Sequence, residues 1–183
     1  MALLNSKSIE LGSPLPSFSL ASVDSKKYSQ ESFKGKDVLV ILFICNHCPY
    51  VKAIEDRILN LHRYFEKQSV QFVGICSNDS TDYPDDAPDQ LKERWKKKQY
   101  RFPYLLDIEQ TAARDFGAVC TPDIFVYDRS HKLAYHGRLD DNWQDPKGVK
   151  THDLRDAIEA LLRSHVPVKH QTPSMGCSIK WKK

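Results

Sequence analysis

The sequence predicts an α/β fold: a central mixed sheet flanked by helices, with an N-terminal β-hairpin extension and a C-terminal tail. Three observations predict it. Residues 38–44 (VLVILFI) are continuously apolar and rich in β-branched side chains, the pattern of a strand buried on both faces. Val51, Ile54, Ile58, Leu61 and Phe65 then recur at spacings of three and four, which places an amphipathic helix over residues 46–67. Residues 70–76 (VQFVGIC) supply a second apolar strand, and a right-handed crossover lays it parallel to the first.

The remaining elements follow in order. Residues 18–28 alternate around a polar centre, Ser22 to Lys27, and read as a short hairpin ahead of the main fold. Residues 78–88 are a loop dense in Asp and Pro, and residues 89–99 are a surface helix with Leu91 and Trp95 one turn apart. Lys96-Lys97-Lys98 is the solvated face of that helix. A strand over 104–106 and a helix over 109–116, ended by Gly117, lead into Cys120-Thr121-Pro122. Residues 123–128 and 132–137 alternate as a hairpin, with His131 and His136 as surface or hairpin histidines. Leu154, Ile158, Leu161 and Leu162 mark a last helix over 151–164. At 183 residues and 40% hydrophobic content the chain suits one core, a domain over 1–165, with a tail over 166–183 that carries Cys177 and docks on it.

Composition narrows the function classes. A net charge of +3, from 27 basic and 24 acidic residues, gives no argument for a nucleic-acid partner. The longest apolar run is about eight residues against the roughly 20 that a membrane-spanning helix needs, so no membrane partner is expected. Leu3-Leu4 is interrupted at once by Asn5, Ser6 and Lys7, so no export signal is expected and the cytoplasm is the default compartment. Five cysteines, an odd number, then point to thiol chemistry and not to a disulfide framework.

That chemistry centres on Cys45-Asn46-His47-Cys48, where the first strand meets its helix. A sulfur at a helix N-terminus faces unpaired N–H groups and the positive end of the dipole, both of which favour thiolate. With the helix beginning at 46, Cys45 is the expected nucleophile. Cys48, one turn inside, is the expected resolving thiol. His47 between them can favour the Cys45 thiolate by hydrogen bonding or by charge. A zinc knuckle lacks two further ligands, and Pro49 removes the histidine that haem attachment requires. Cys76 is expected to pack in the core, while Cys120 and Cys177 are candidate additional redox thiols. No cofactor or metal is expected.

Pro16 and Phe18, Cys45 to Lys52 (CNHCPYVK), Asn78-Asp79, Cys120 to Phe125, Gly137 to Asp141 and Gly176 to Lys182 together resemble one family. The chain resembles the AhpC/TSA (redoxin) branch of the thioredoxin-like superfamily, in its peroxiredoxin-like group. The resemblance implies a thioredoxin-like fold and a thiol-dependent, antioxidant activity. It also implies a cis bond at Thr121-Pro122, opposite the dithiol, where the backbone before the proline pairs with bound substrate. Peroxiredoxins proper carry Pro-x-x-x-Thr-x-x-Cys, polarising peroxide with the threonine and a distant arginine. With Cys48 as the peroxidatic position, Cys45 stands where the threonine would be and Ile41 where the proline would be; Arg138 is the candidate arginine. DsbA-type enzymes carry Pro-His between their cysteines, and here Asn46 replaces the proline. The departures favour dithiol–disulfide exchange, with a protein or small-molecule disulfide as substrate and a thioredoxin- or glutathione-type thiol as electron donor. A thiol peroxidase acting on peroxide is the first alternative. A Cu(I)-handling chaperone is the second, since soft thiolates suit that ion.

Overall fold

The computed structural model describes residues 3–164, 166–168 and 170–183. Met1 and His165, which bound the expected domain, lie outside the described residues. The chain order is β1 (Leu3–Asn5), β2 (Ser19–Ser22), β3 (Lys27–Ser29), β4 (Val38–Phe43), α1 (Pro49–Phe65), β5 (Val70–Cys76), α2 (Pro88–Lys97) and β6 (Tyr104–Leu106). It continues with α3 (Thr111–Phe116), β7 (Cys120–Thr121), β8 (Asp123–Asp128), β9 (Leu133–His136), α4 (Asp153–Ser164) and β10 (Met175–Ser178). Seven strands form a mixed sheet in the order β3-β2-β6-β5-β4-β8-β9, and β1-β10-β7 form a second, antiparallel sheet. The parallel neighbours are β4 with β5 and β5 with β6. This is the expected thioredoxin-like arrangement, with an additional small sheet.

The N-terminal hairpin is more than an extension. β2 pairs with β6, through Ala21 with Leu106 and Ser22 with Leu105, so β2 and β3 complete one edge of the main sheet.

All six residues of β4 are buried, because both faces of the strand are covered. Val38, Val40 and Leu42 pack with Val51, Ile54 and Ile58 of α1 and with Leu154, Ile158 and Leu161 of α4. Leu39, Ile41 and Phe43 pack on the other face with Phe116 of α3, Phe125 of β8 and Ile179 beyond β10. At about 1.5–3 kcal/mol per fully buried large apolar side chain, these two layers are the main source of stability. They also hold rigid the C-terminal end of β4, from which the dithiol emerges.

α1 begins at Pro49, three residues later than the periodicity suggests. Proline suits the first helical position because its missing N–H would be unpaired there in any case. It also excludes the preceding residue from helical geometry, and Cys48 has ψ 123 as the N-cap. α1 is tied to α2 by the buried Glu55, which accepts from Arg94 Nε at 2.7 Å and Nη2 at 2.6 Å and from the Tyr100 hydroxyl at 2.8 Å.

Candidate active site

Cys45, Asn46, His47 and Cys48 form a bend between β4 and α1, and a single buried carboxylate holds that bend. Asp86, at the end of a short 3-10 turn (Pro84–Asp86), accepts from the backbone N–H of Asn46 at 2.7 Å and of His47 at 3.2 Å. It also accepts from His47 Nδ1 at 2.5 Å and from Asn78 Nδ2 at 2.8 Å. Burial alone would raise the Asp86 pKa, but the His47 and Asn78 hydrogen bonds outweigh it and hold the carboxyl below its ordinary range. Because a carboxylate only accepts, Nδ1 of His47 carries the proton. The imidazole stacks on Tyr83, with ring centroids 4.6 Å apart. Asn46, at the position where proline was the comparison, donates from Nδ2 to the carbonyls of Asp85 at 2.9 Å and Gln90 at 3.0 Å, which ties the bend to α2.

The expected cis bond is present at Thr121-Pro122. Both cysteines of the motif meet Thr121: the Cys45 sulfur lies 3.4 Å from its hydroxyl, and the Cys48 thiol donates to its carbonyl at 3.0 Å. Cys45 and Cys48 are 1% and 0% exposed, so in this state neither sulfur meets solvent.

Their electrostatics differ, and in the opposite sense to the sequence expectation. Cys48, not Cys45, occupies the helix N-cap. Hydrogen bonding from the Cys45 thiol lowers the Cys48 pKa most, burial opposes it, and the amides of Val51 and Cys177 and the Cys177 thiol add to the lowering, to about 5. The Val51 amide lies in the first turn of α1, where unpaired N–H groups favour the thiolate. The Thr121 carbonyl favours the protonated form, but it is one acceptor against several donors. Cys45 is pushed up by burial, by its hydrogen bond to Cys48 and by the Asp86 charge, with only the Thr121 hydroxyl opposing. The two sulfurs are therefore biased apart, Cys48 toward thiolate and Cys45 toward thiol.

Of the other sequence candidates, Cys120 is buried with its thiol turned to the Pro122 carbonyl at 3.6 Å, and burial pushes its pKa up. Cys177 lies in β10, opposite Thr121, and hydrogen-bonds with Cys48. Cys76 is buried in the core at the end of β5. His136 is no surface histidine: it is 7% exposed, bonded through Nε2 to Asp123 at 2.7 Å and stacked on Phe125. Arg138 is held by Asp153 and lines a cleft of about 230 Å³ beside Pro122, Trp143 and Met175. The cysteine sulfur of Cys45, a ring nitrogen of His47 and an oxygen of Asp86 lie within 4.8 Å of one another, the one three-donor grouping found among the described residues. Asp86 already accepts four hydrogen bonds, so the grouping is closed by its own contacts. Asp86 itself escaped the sequence reading, because an aspartate in an Asp- and Pro-dense loop looks like turn chemistry.

Residues 10–156 match the Redoxin family. The chain belongs to the Redoxin family. The thiol-disulfide oxidoreductase ResA of Bacillus thuringiensis subsp. konkukian is 23% identical over 159 residues, covering 87% of this chain and 80% of ResA. An uncharacterized conserved protein from Geobacillus kaustophilus is 39% identical with a TM-score of 0.94, covering all of this chain and 97% of that one. A hypothetical protein from Sinorhizobium meliloti 1021 is 36% identical with a TM-score of 0.91, covering 97% and 98%. This Redoxin therefore shares its fold with both of these proteins over nearly its whole length.

Two measurements test the site. An ordinary thiol titrates near 9 and Cys48 near 5, so between these values the unfolded chain holds a proton that the native protein does not. The stability that Cys48 contributes is full above pH 9, declines as the pH falls and is lost below 5. Urea unfolding of wild type and Cys48→Ser across this window should show that converging difference, whereas a constant difference would mean an ordinary thiol. Asp86→Ala strands the Asn46 and His47 amides and should cost about 1–3 kcal/mol in the same assay.

Proposed function

We propose that this Redoxin is a thiol-disulfide oxidoreductase whose working pair is Cys45 and Cys48, with Cys48 as the attacking thiolate. The observation that carries this reading is the placement of Cys48 at the N-cap of α1 with both cysteine sulfurs against Thr121, and the electrostatics agree in direction, down for Cys48 and up for Cys45. The order reverses the sequence expectation because the helix starts at Pro49. Family membership and the likeness to ResA support the same class of chemistry. Within the family, residues 45–52 resemble the group carrying CNHCPYVK, and that resemblance supports the reading.

The Cys48 thiolate attacks one sulfur of a substrate disulfide, a bond forms between them, and the other substrate sulfur leaves as a thiolate. Cys45 then attacks the Cys48 sulfur, the mixed disulfide breaks, and the second substrate thiol is released. The substrate gains two electrons and two protons, and the protein is left with a Cys45–Cys48 disulfide. Cys45 must lose its proton in the second step, and the His47–Asp86 pair beside it is placed to take it. Thr121 and Pro122 shape the edge on which β10 lies, where a substrate segment would take the place of β10. A thioredoxin- or glutathione-type thiol restores the dithiol, in the cytoplasm expected from the sequence.

A peroxidase reading has one observation in its favour, since a single acidified thiolate at a helix start also suits peroxide. Against it, Cys45 and Ile41 replace the supporting threonine and proline, and Arg138 is engaged by Asp153.

In an insulin-reduction assay Cys48→Ser should lose activity to background. Cys45→Ser should also fall well below wild type, but its Cys48 should still attack a substrate disulfide and release one substrate thiol. Full activity in Cys48→Ser would sink the reading. Peroxide loss should be no faster than with free cysteine, and a markedly faster loss that Cys48→Ser abolishes would move the assignment to peroxidase.

A further inference from the structure

We propose that Cys177 is a third redox thiol, seated by β10 on the Thr121 edge as an internal partner strand, and that the Cys45–Cys48 disulfide passes to Cys48–Cys177. The inference rests on the exchange reading above and deepens it by naming the first partner of that pair.

Three independent features converge on this. The first is register: β10 runs antiparallel to β7, with Cys177 opposite Thr121 and Ser178 opposite Cys120. Directly opposed residues project their side chains to the same face of a sheet. The Thr121 hydroxyl faces Cys45, so Cys177 stands on the dithiol side, while Cys120 and Ser178 belong to the other. An extended segment of a substrate protein would add to this edge in the same manner.

The second is the grouping of the sulfurs. Cys48 interacts with both Cys45 and Cys177, and the register of β10 on β7 puts Cys177 opposite the Thr121 that both dithiol sulfurs meet. A sulfur that meets two other thiols is the arrangement that lets a disulfide move from one to the other.

The third is how closely the strand is seated. A Cβ on Gly176 would stand 2.0 Å from the Thr121 carbonyl oxygen, so only glycine lets β10 come this near. The seat is secured on both sides. Ser6 N–H donates to the Ser174 carbonyl at 2.9 Å, Ser174 Oγ donates to the Gly137 carbonyl at 2.6 Å, and Ile179 N–H donates to the Val119 carbonyl at 2.9 Å.

The step balances without an outside oxidant. The Cys177 sulfur attacks Cys48, the Cys45–Cys48 bond breaks as the Cys48–Cys177 bond forms, and Cys45 leaves as a thiolate that takes up the proton lost by Cys177. One disulfide is consumed and one is made. An external thiol that attacks Cys177 would then carry electrons in by a route that does not touch Cys45.

The test uses the full chain, reduced, treated with an equimolar amount of oxidised glutathione, quenched in acid, alkylated and mapped by mass spectrometry. Wild type should yield both Cys45–Cys48 and Cys48–Cys177 linked peptides. Cys45→Ser should yield Cys48–Cys177 in about tenfold or greater excess over Cys48–glutathione, because a seated thiol outcompetes a dissolved one. Adding Gly176→Ala should unseat β10 and reverse that ratio. Persistent Cys48–glutathione with unlinked Cys177 in Cys45→Ser would overturn the third thiol, as would Cys45–Cys48 alone in wild type, and either would leave the exchange reading intact. Failure of wild type to form any Cys45–Cys48 bond or Cys48 adduct would overturn both.

Discussion

The four hydrogen bonds that converge on Asp86 decide what the cysteine bend can do. Two of them fix backbone N–H groups of Asn46 and His47, so the chain leaving β4 turns before it can become helical. The turn delays α1 to Pro49 and delivers Cys48 to the N-cap. Burial and the contact with Cys48 push the Cys45 thiol up, and the negative charge of the same carboxylate adds to them. One buried group thus fixes the bend that positions both sulfurs and adds to the asymmetry between them.

Asp86 is itself held at a distance. Its loop leads into α2, and α2 is locked to α1 by the fork of Arg94 on Glu55 with Tyr100 closing the third side. Glu55 is 2% exposed, and a buried carboxylate needs this degree of pairing to be tolerated. The dithiol bend is therefore braced from β4, from α1 and from α2. Rigid bracing suits thiol exchange, in which a sulfur must be presented to its partner with little freedom to turn away.

Much of the fold was legible in the sequence because its signals are local. The six buried residues of β4 are an unbroken apolar run, α1 shows its periodicity, and β6 falls on the three residues expected. Cys45, Cys48 and Thr121-Pro122 were found as a set because each lies at a junction between elements. The start of α1 was misread although its signal was present: Pro49 favours the first helical position and bars Cys48 from helical geometry. Asp86 had no such signal. Three of its four hydrogen bonds come from Asn46 and His47, some forty positions away, and only the packing of α2 on α1 brings them together. β10 was illegible for a similar reason, since four residues rich in glycine and serine have little strand propensity and are strands only because Thr121 and Leu4 lie on either side.

The many anchors of β10 have a kinetic consequence. The strand and the residues on either side of it are tied to β1, β7, Gly137, Val119, Asn78 and Gln110, and Arg114 lies over the Trp181 ring at 4.8 Å. A segment held at so many separate points does not fray residue by residue; it opens as a unit or stays shut. The sulfurs beneath it are then reached only during whole openings. At low concentration a thiol reagent would react in proportion to its amount. At high concentration every opening would be intercepted, and the rate would level off at the frequency with which the strand lifts.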